Sequence, residues 1–129
     1  MGAIKSYRDL EVWQQSMDLV EECYRLSNQF PRGEEFGLRA QIRRSAVSVP
    51  SNIAEGNGRS TTGDYLRHLS IARGSLMEVE TQVLIAGRLG YVEPASVDDV
   101  LKRADGIGRM LTSLARRLRE RTEPNAGRR

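Results

Sequence analysis

Apolar residues recur at steps of three and four along most of the chain, the spacing that places side chains on one face of an α-helix. Glycine, proline and small polar residues interrupt the pattern at three points and divide the chain into four segments. The first three predicted helices run from a cap at Asp9 to about Gln29, from about Glu34 to Glu55 and from about Thr62 to Leu89. The fourth follows the Glu93-Pro94 corner, has Asp98 and Asp99 in its first turn and runs to about Arg121.

The third predicted helix has the most regular apolar row, which consists of Tyr65, Leu69, Ala72, Leu76, Val79, Val83 and Ala86. Its period of 3.5 residues is typical of left-handed packing at about 20° in helix bundles. The fourth helix carries a similar row of Val97, Val100, Ala104, Ile107, Leu111, Leu114 and Leu118. We therefore predict an all-α fold of bundled helices.

The first helix carries two apolar rows. They are Leu10, Trp13, Met17, Val20 and Tyr24 on one face, and Val12, Leu19, Cys23, Leu26 and Phe30 on the adjacent face. One row is enough to pack a helix against the core of a monomer, so two rows indicate contact on two sides.

The second helix combines an apolar row with a polar one. The apolar row is Leu38, Ile42, Ala46, Val49 and Ile53, and the polar row is Gln41, Ser45, Ser48, Asn52 and Glu55. Pro50 removes a backbone hydrogen bond within these rows at a cost of about 3 kcal/mol. Either the helix ends near Val49 and restarts, or one kinked helix runs through; the unchanged apolar phase favours the kinked helix. For Asn52 and Glu55 beside the kink we favour capping and cross-helix hydrogen bonds.

The Gly56-Asn57-Gly58 corner ends the second helix, and Ser60, Thr61 and Thr62 are candidate N-caps of the third. The corner does not match a nucleotide-binding loop. A dinucleotide fingerprint requires a preceding strand and G-x-G-x-x-G spacing, and a P-loop requires G-K-[ST].

Composition limits the class of protein. The 129 residues suit one domain, which we place at residues 1–121, followed by a disordered basic tail at residues 122–129. A single cysteine excludes an intrachain disulfide, and one cysteine with one histidine argues against structural zinc. The sequence contains no membrane-length apolar run and no signal peptide, so we expect a cytoplasmic protein. The start Met1-Gly2 formally fits a myristoylation pattern, but so short a match is weak.

The charge is mildly basic, with 20 lysine and arginine residues against 17 acidic ones, and 18 of the 20 are arginine. Arginine suits bidentate contact with phosphate or carboxylate, although a GC-rich genome also enriches it. The candidate nucleic-acid contacts lie near the middle corner and along the fourth helix: Arg43, Arg44, Arg59, Arg67, Arg73, Arg109, Arg116, Arg117, Arg119 and Arg121.

No residues point to catalysis, a cofactor or a metal. A di-iron site in a bundle requires paired Glu-x-x-His motifs, and His68 has glutamate at neither required offset. A dyad of Cys23 and His68 lacks an orienting group. Since Asp64 lies four residues before His68, we expect a local pair on the helix surface. We therefore predict a protein that is not an enzyme.

Three segments resemble a known family: YRDLEVWQQSMDLVEECYRL, LRAQIRRSAVSVPSNIAEGNGRS and DYLRHLSIARGSLMEVETQVLIAGRLGY. They are similar to the bacterial four-helix-bundle proteins related to the 23S ribosomal RNA intervening-sequence protein. The accessory variability determinant of diversity-generating retroelements is a more distant relative. The resemblance covers about Tyr7 to Tyr91 strongly and the fourth helix only by pattern.

The resemblance implies an up-and-down four-helix bundle that assembles as a closed homopentameric ring. Members encoded within ribosomal RNA genes are thought to act on RNA, and the retroelement relative binds nucleic acid and a reverse transcriptase. We therefore expect a non-enzymatic oligomer that binds the RNA or DNA backbone through its arginines. The alternative is a protein-interaction adaptor or scaffold, with a partner such as a reverse transcriptase and no nucleic-acid role.

Overall fold

The computed structural model describes the backbone of residues 5–127 and the side chains of residues 5–121. Its elements are a 3-10 turn at Tyr7–Asp9, α1 at Glu11–Ser27, a second 3-10 turn at Arg32–Glu34, α2 at Leu38–Asn57, α3 at Thr62–Arg88 and α4 at Pro94–Gly127. No strand occurs in the part of the chain so described, and none of its helices is long and apolar enough to cross a membrane.

The four helices form a bundle in which each helix packs against its neighbours in the chain and α1 packs against α4. Short connections between successive helices make the neighbours antiparallel. The predicted all-α four-helix bundle is thereby confirmed. A disordered tail was predicted for residues 122–129, but the backbone of α4 continues as helix past Arg121 to Gly127, and residues 128–129 lie outside the described ones. The Met1-Gly2 pattern also lies outside the described residues.

The predicted apolar rows of α2 and α4 are buried throughout, and that of α3 is buried except at Tyr65, which is half-buried. In α1 the row from Val12 to Phe30 forms core, whereas Met17 and Tyr24 of the other row remain 39% and 40% exposed. Burial, with a smaller contribution from Glu22, raises the pKa of the Cys23 thiol to about 12. One face of α1 therefore closes the core, and the second stays partly open, with Trp13 and Val20 half-buried against the core.

α1 begins later than predicted because a 3-10 turn precedes it. Asp9 does not cap α1; its carboxylate accepts hydrogen bonds from the backbone N–H groups of Lys5 (2.9 Å) and Ser6 (3.2 Å). Ser6 in turn caps this turn, and α1 starts at Glu11 after Leu10, which makes no side-chain cap.

α2 also begins later than predicted, at Leu38, and Glu34 caps it from outside the helix. The Glu34 carboxylate accepts the Leu38 N–H at 2.9 Å and the Tyr91 hydroxyl at 2.8 Å. These two bonds, the Leu38 N–H first, lower the pKa of Glu34, and the bond to Glu34 raises the pKa of Tyr91. Glu34, the predicted first residue of α2, therefore links α2 to the loop between α3 and α4.

Three further expectations concern helix interiors and ends. α2 runs unbroken through Pro50, as the favoured interpretation predicted, and the Thr61 hydroxyl caps α3 by accepting the Asp64 N–H at 3.1 Å. The expectation for α4 was wrong by one turn. Because Pro94 occupies its first position, where a missing N–H costs nothing, Asp98 and Asp99 lie in the second turn.

Gly56 permits the close approach of α2 to α3. A Cβ atom built there would lie 2.8 Å from His68 Cβ and 3.0 Å from the Tyr65 ring. Gly74, at an exposed position of α3, has no atom within 4 Å of the same construction. Of these two helical glycines, only Gly56 is required by packing within the subunit.

We predict opposite effects for alanine at these two glycines. Gly56→Ala lowers the free energy of unfolding by about 1–3 kcal/mol, because the new methyl group forces α2 and α3 apart. Gly74→Ala raises it by up to about 1 kcal/mol through helix propensity. Urea denaturation at one fixed protein concentration measures both. Equal effects for the two variants would contradict the close approach at Gly56.

Candidate nucleic-acid interface

A shallow groove runs between α3 and α4 on the outside of the bundle. It consists of two adjoining depressions of about 420 and 150 Å³, which share Arg73 and Thr112. We call it the α3–α4 groove. Its charged and hydroxyl-bearing lining residues are Ser70, Arg73, Glu80, Asp105, Arg109, Thr112, Ser113, Arg116 and Arg119.

Four of the ten arginines proposed from the sequence meet in this groove: Arg73, Arg109, Arg116 and Arg119. Arg73 donates a hydrogen bond to the neutral Thr112 hydroxyl and makes no ion pair within residues 5–121, although its charge acts on the Glu80 carboxyl. Arg109 is paired with Asp105 at 2.6 Å. Arg116 and Arg119 are exposed, and neither makes an ion pair or side-chain hydrogen bond within residues 5–121.

The groove has an acidic end. Because α3 and α4 are antiparallel, Glu80 and Asp105 lie at one end, Arg73 in the middle and Arg119 at the other. Burial raises the pKa of Glu80, the Asp105 carboxylate raises it further, and Arg73 partly opposes both. Sequence reasoning missed Glu80, Asp105 and Thr112 as groove residues, because the apolar rows show which positions are buried but not which positions beside them line a groove between two helices.

The remaining proposed arginines lie elsewhere. Arg43 binds the C-terminal end of α1. Its Cζ lies 4.5 Å from the centre of the Tyr24 ring. Its guanidinium also donates hydrogen bonds to Ser27 Oγ at 2.8 Å and Asn28 Oδ1 at 2.9 Å. Arg59 pairs with Glu55 at 2.6 Å beside the α2–α3 corner. The other positions are exposed and outside the groove: Arg44 on α2, Arg67 on α3, and Arg117 and Arg121 on α4.

A buried polar network joins α2 to α3, and His68 belongs to it. His68 is only 4% exposed, so the expected surface pair with Asp64 was wrong. Its Nδ1 lies 3.1 Å from Asn52 Oδ1, while the Asn52 amide nitrogen donates to the Ser48 carbonyl (2.9 Å) and hydroxyl (3.0 Å). Ser75 donates to the Ser48 hydroxyl at 2.8 Å. The cross-helix hydrogen bonds that we favoured for Asn52 are present.

This geometry determines the tautomer of His68. Since both donor bonds of Asn52 go to Ser48, its Oδ1 faces the imidazole and accepts, so Nδ1 of His68 carries the proton. Nε2 is buried without a hydrogen-bond partner among the described residues. Glu55 Oε1 lies 4.0 Å from Nδ1, but the Glu55 side chain is half exposed and paired with Arg59.

A sequence signal for this network existed. His68, Ser75 and Gln82 are spaced by seven residues and share one face of α3, opposite the polar row of α2. Two polar rows of matching period on neighbouring helices predict that the rows meet. The described residues contain no cluster of three or more His, Cys, Asp or Glu side chains able to hold a metal ion.

The chain is similar to known proteins both in sequence and in fold. The family model of the 23S rRNA-intervening sequence protein matches residues 8–113. The chain belongs to this family. Among curated proteins, none matches it. A solved structure of a protein of unknown function from Bacteroides thetaiotaomicron, in the S23 ribosomal protein family, is similar with a TM-score of 0.75. At 23% identity over 81% of this chain and 97% of that one, the similarity shows a shared fold.

The 23S rRNA-intervening sequence family match covers α1, α2, α3 and the first part of α4. It includes the whole of the buried polar network. It also includes the acidic end of the groove, but it stops before Arg116 and Arg119. Of the four groove arginines, the match therefore covers Arg73 and Arg109 and ends before the other two.

We predict that the network stabilises the α2–α3 pair. Asn52→Ala leaves the His68 Nδ1–H without its buried acceptor and lowers the free energy of unfolding by about 1–3 kcal/mol. Ser51→Ala, at the adjacent exposed position, changes it by less than about 0.5 kcal/mol. Chemical denaturation of the two variants checks this. If the Asn52 variant were as stable as the Ser51 variant, the hydrogen bond to His68 would not contribute.

Proposed function

We propose that this protein is a non-enzymatic, oligomeric nucleic-acid-binding protein that contacts the phosphate backbone of RNA or DNA through the α3–α4 groove. The convergence of four arginines from two helices on one groove is the observation that carries the proposal. Two of them, Arg116 and Arg119, are exposed and have no acidic partner within residues 5–121.

The lining of the groove favours backbone contact over base recognition. Arginine presents a planar fork of donors that matches phosphate, and the hydroxyls of Thr112 and Ser113 add further donors. No aromatic ring lines the groove within the described residues, so stacking on bases does not contribute. We therefore expect binding that depends little on sequence and weakens steeply with salt.

The open face of α1 supports assembly. Met17 and Tyr24 are exposed and Trp13 and Val20 half-buried along one stripe, which is more apolar surface than a helix at the edge of a monomer requires. We propose that this stripe packs against a second copy in a closed homopentamer. A ring repeats the groove on every subunit, so a chain with a net charge of only +3 presents several basic surfaces at once.

A second candidate function rests on another surface. Leu84, Ile85 and Leu89, at the C-terminal end of α3, are 41% to 55% exposed. An apolar cluster away from the groove suits a protein partner, such as a reverse transcriptase, and an adaptor role. Nucleic-acid binding that resists removal of the groove arginines, or no binding at all, would favour this candidate.

Removing the two groove arginines that lack partners is predicted to weaken binding of single-stranded RNA. Each lost phosphate contact reduces the slope of log affinity against log salt by about 0.7, so Arg116→Gln with Arg119→Gln reduces it by about 1.4. Glutamine keeps helix propensity close to that of arginine. Fluorescence anisotropy of a labelled RNA between 50 and roughly 200 mM salt measures the slope.

Arg25→Gln with Arg88→Gln is the matched control, since it removes the same charge from exposed positions outside the groove. The control is expected to retain the wild-type slope. If both double variants lost the same slope, binding would reflect net charge alone and the groove would have no special role. If the wild-type protein bound no RNA or DNA at low salt, the proposed function would be wrong.

The assembly is predicted to be a pentamer of about 72 kDa, five times the chain mass of 14.5 kDa. Met17→Glu places a charge within the α1 stripe and is expected to give smaller species, because burying an unpaired carboxylate is costly. Gln29→Glu, also exposed but outside the stripe, should leave the mass unchanged. Multi-angle light scattering distinguishes the two. A monomeric wild-type chain at micromolar concentration would exclude the ring.

A further inference from the structure

We infer that Glu80 and Asp105 close one end of the α3–α4 groove to phosphate, so that nucleic acid binds off-centre, at the Arg73, Arg116 and Arg119 end, and extends toward Arg109 only when protons are taken up. The inference rests on the proposed function and adds to it the position of the ligand and its regulation by pH.

The groove is long enough for its two ends to act separately. Asp105 and Arg116 are eleven residues apart on α4, which corresponds to about 16 Å along the helix at 1.5 Å per residue. The Debye length is about 10 Å at 0.1 M ionic strength. The acidic end therefore repels a phosphate close to it and is largely screened from one bound near Arg116.

Asp105 also occupies the arginine nearest to it. Its carboxylate lies 2.6 Å from the Arg109 guanidinium, so a phosphate at Arg109 must compete with an intramolecular anion. Arg73 is bonded instead to the neutral Thr112 hydroxyl and makes no ion pair with a carboxylate among the described residues. The first phosphate is accordingly expected between Arg73 and the last turns of α4.

Protonation of Glu80 removes one of the two negative charges at this end of the groove. The charged groups that line the same depression as Glu80 are Arg73 from α3, and Asp105, Arg109 and Arg116 from α4, and of these Asp105 and Arg73 act on Glu80 most strongly. Burial and the neighbouring Asp105 carboxylate raise the pKa of Glu80, despite the opposing effect of Arg73. A bound phosphate adds a further negative charge and favours the protonated carboxyl more strongly. By linkage, proton uptake strengthens phosphate binding by the same factor, so affinity rises as pH falls.

The test compares wild-type protein with Glu80→Gln/Asp105→Asn, using labelled single-stranded RNA across salt concentrations and between pH 5 and 7.5. Interaction across about 7 Å of water corresponds to roughly threefold in affinity per carboxylate, so the variant should bind about tenfold tighter at neutral pH. Its salt slope should increase by about 0.7 as Arg109 gains a phosphate. The rise of affinity at lower pH, present in the wild type, should be absent from the variant.

Glu78→Gln is the matched control, because Glu78 lies two residues away on α3 but lines the α2–α3 side of the bundle. It should reproduce the wild-type slope and pH dependence. The inference is overturned if wild-type binding depends on Arg116 and Arg119 but Glu80→Gln/Asp105→Asn leaves slope and pH dependence unchanged. Absence of any wild-type binding would instead defeat the proposed function itself. The pH series on the unmodified protein gives an answer even if the double variant folds poorly.

Discussion

Burial of the apolar row of α3 between α2 and α4 is the constraint on which the rest of the structure depends. Leu76, Val79 and Val83 have no exposed surface, and removing such side chains from water is the main source of folding free energy. The burial also fixes the rotation of α3 about its axis. Once the row faces inward, Arg73 and Glu80 must face α4, and His68 and Ser75 must face α2. The groove and the buried polar network both follow from the orientation in which α3 packs.

The same row explains why the fold was predictable and the site was not. A period of 3.5 residues is a local property, so the four helices, their core faces and the course of α2 through Pro50 follow from the sequence. Contacts between helices are not local. The bond of His68 to Asn52 spans sixteen positions, and the sequence offered the nearer Asp64 as a partner. The surface pair does not form, because the His68 imidazole is buried between α2 and α3, where the Asn52 amide oxygen accepts its Nδ1 proton.

The arginines show most clearly what could not be predicted from the sequence alone. On the sequence alone, Arg43 and Arg116 are equivalent members of a basic set. In the bundle, Arg43 stacks on Tyr24 and donates to Ser27, so its donors already serve the α1–α2 contact. Arg116 has no such partner within the described residues and lines the groove. With 20 basic and 17 acidic residues, net charge says little, and the placement of each charge determines where an anion can bind.

The apolar residues that form the core and the charged residues that line the groove have different roles in the chain. A fold shared at 23% identity with the Bacteroides protein depends on the spacing and volume of apolar residues, which many sequences satisfy. Activity depends on sites placed upon that fold. Here the family match contains the core rows of α1, α2 and α3 and the polar network, yet ends before Arg116 and Arg119. The comparisons therefore support the scaffold alone, and what the groove binds has to be tested on the groove residues themselves.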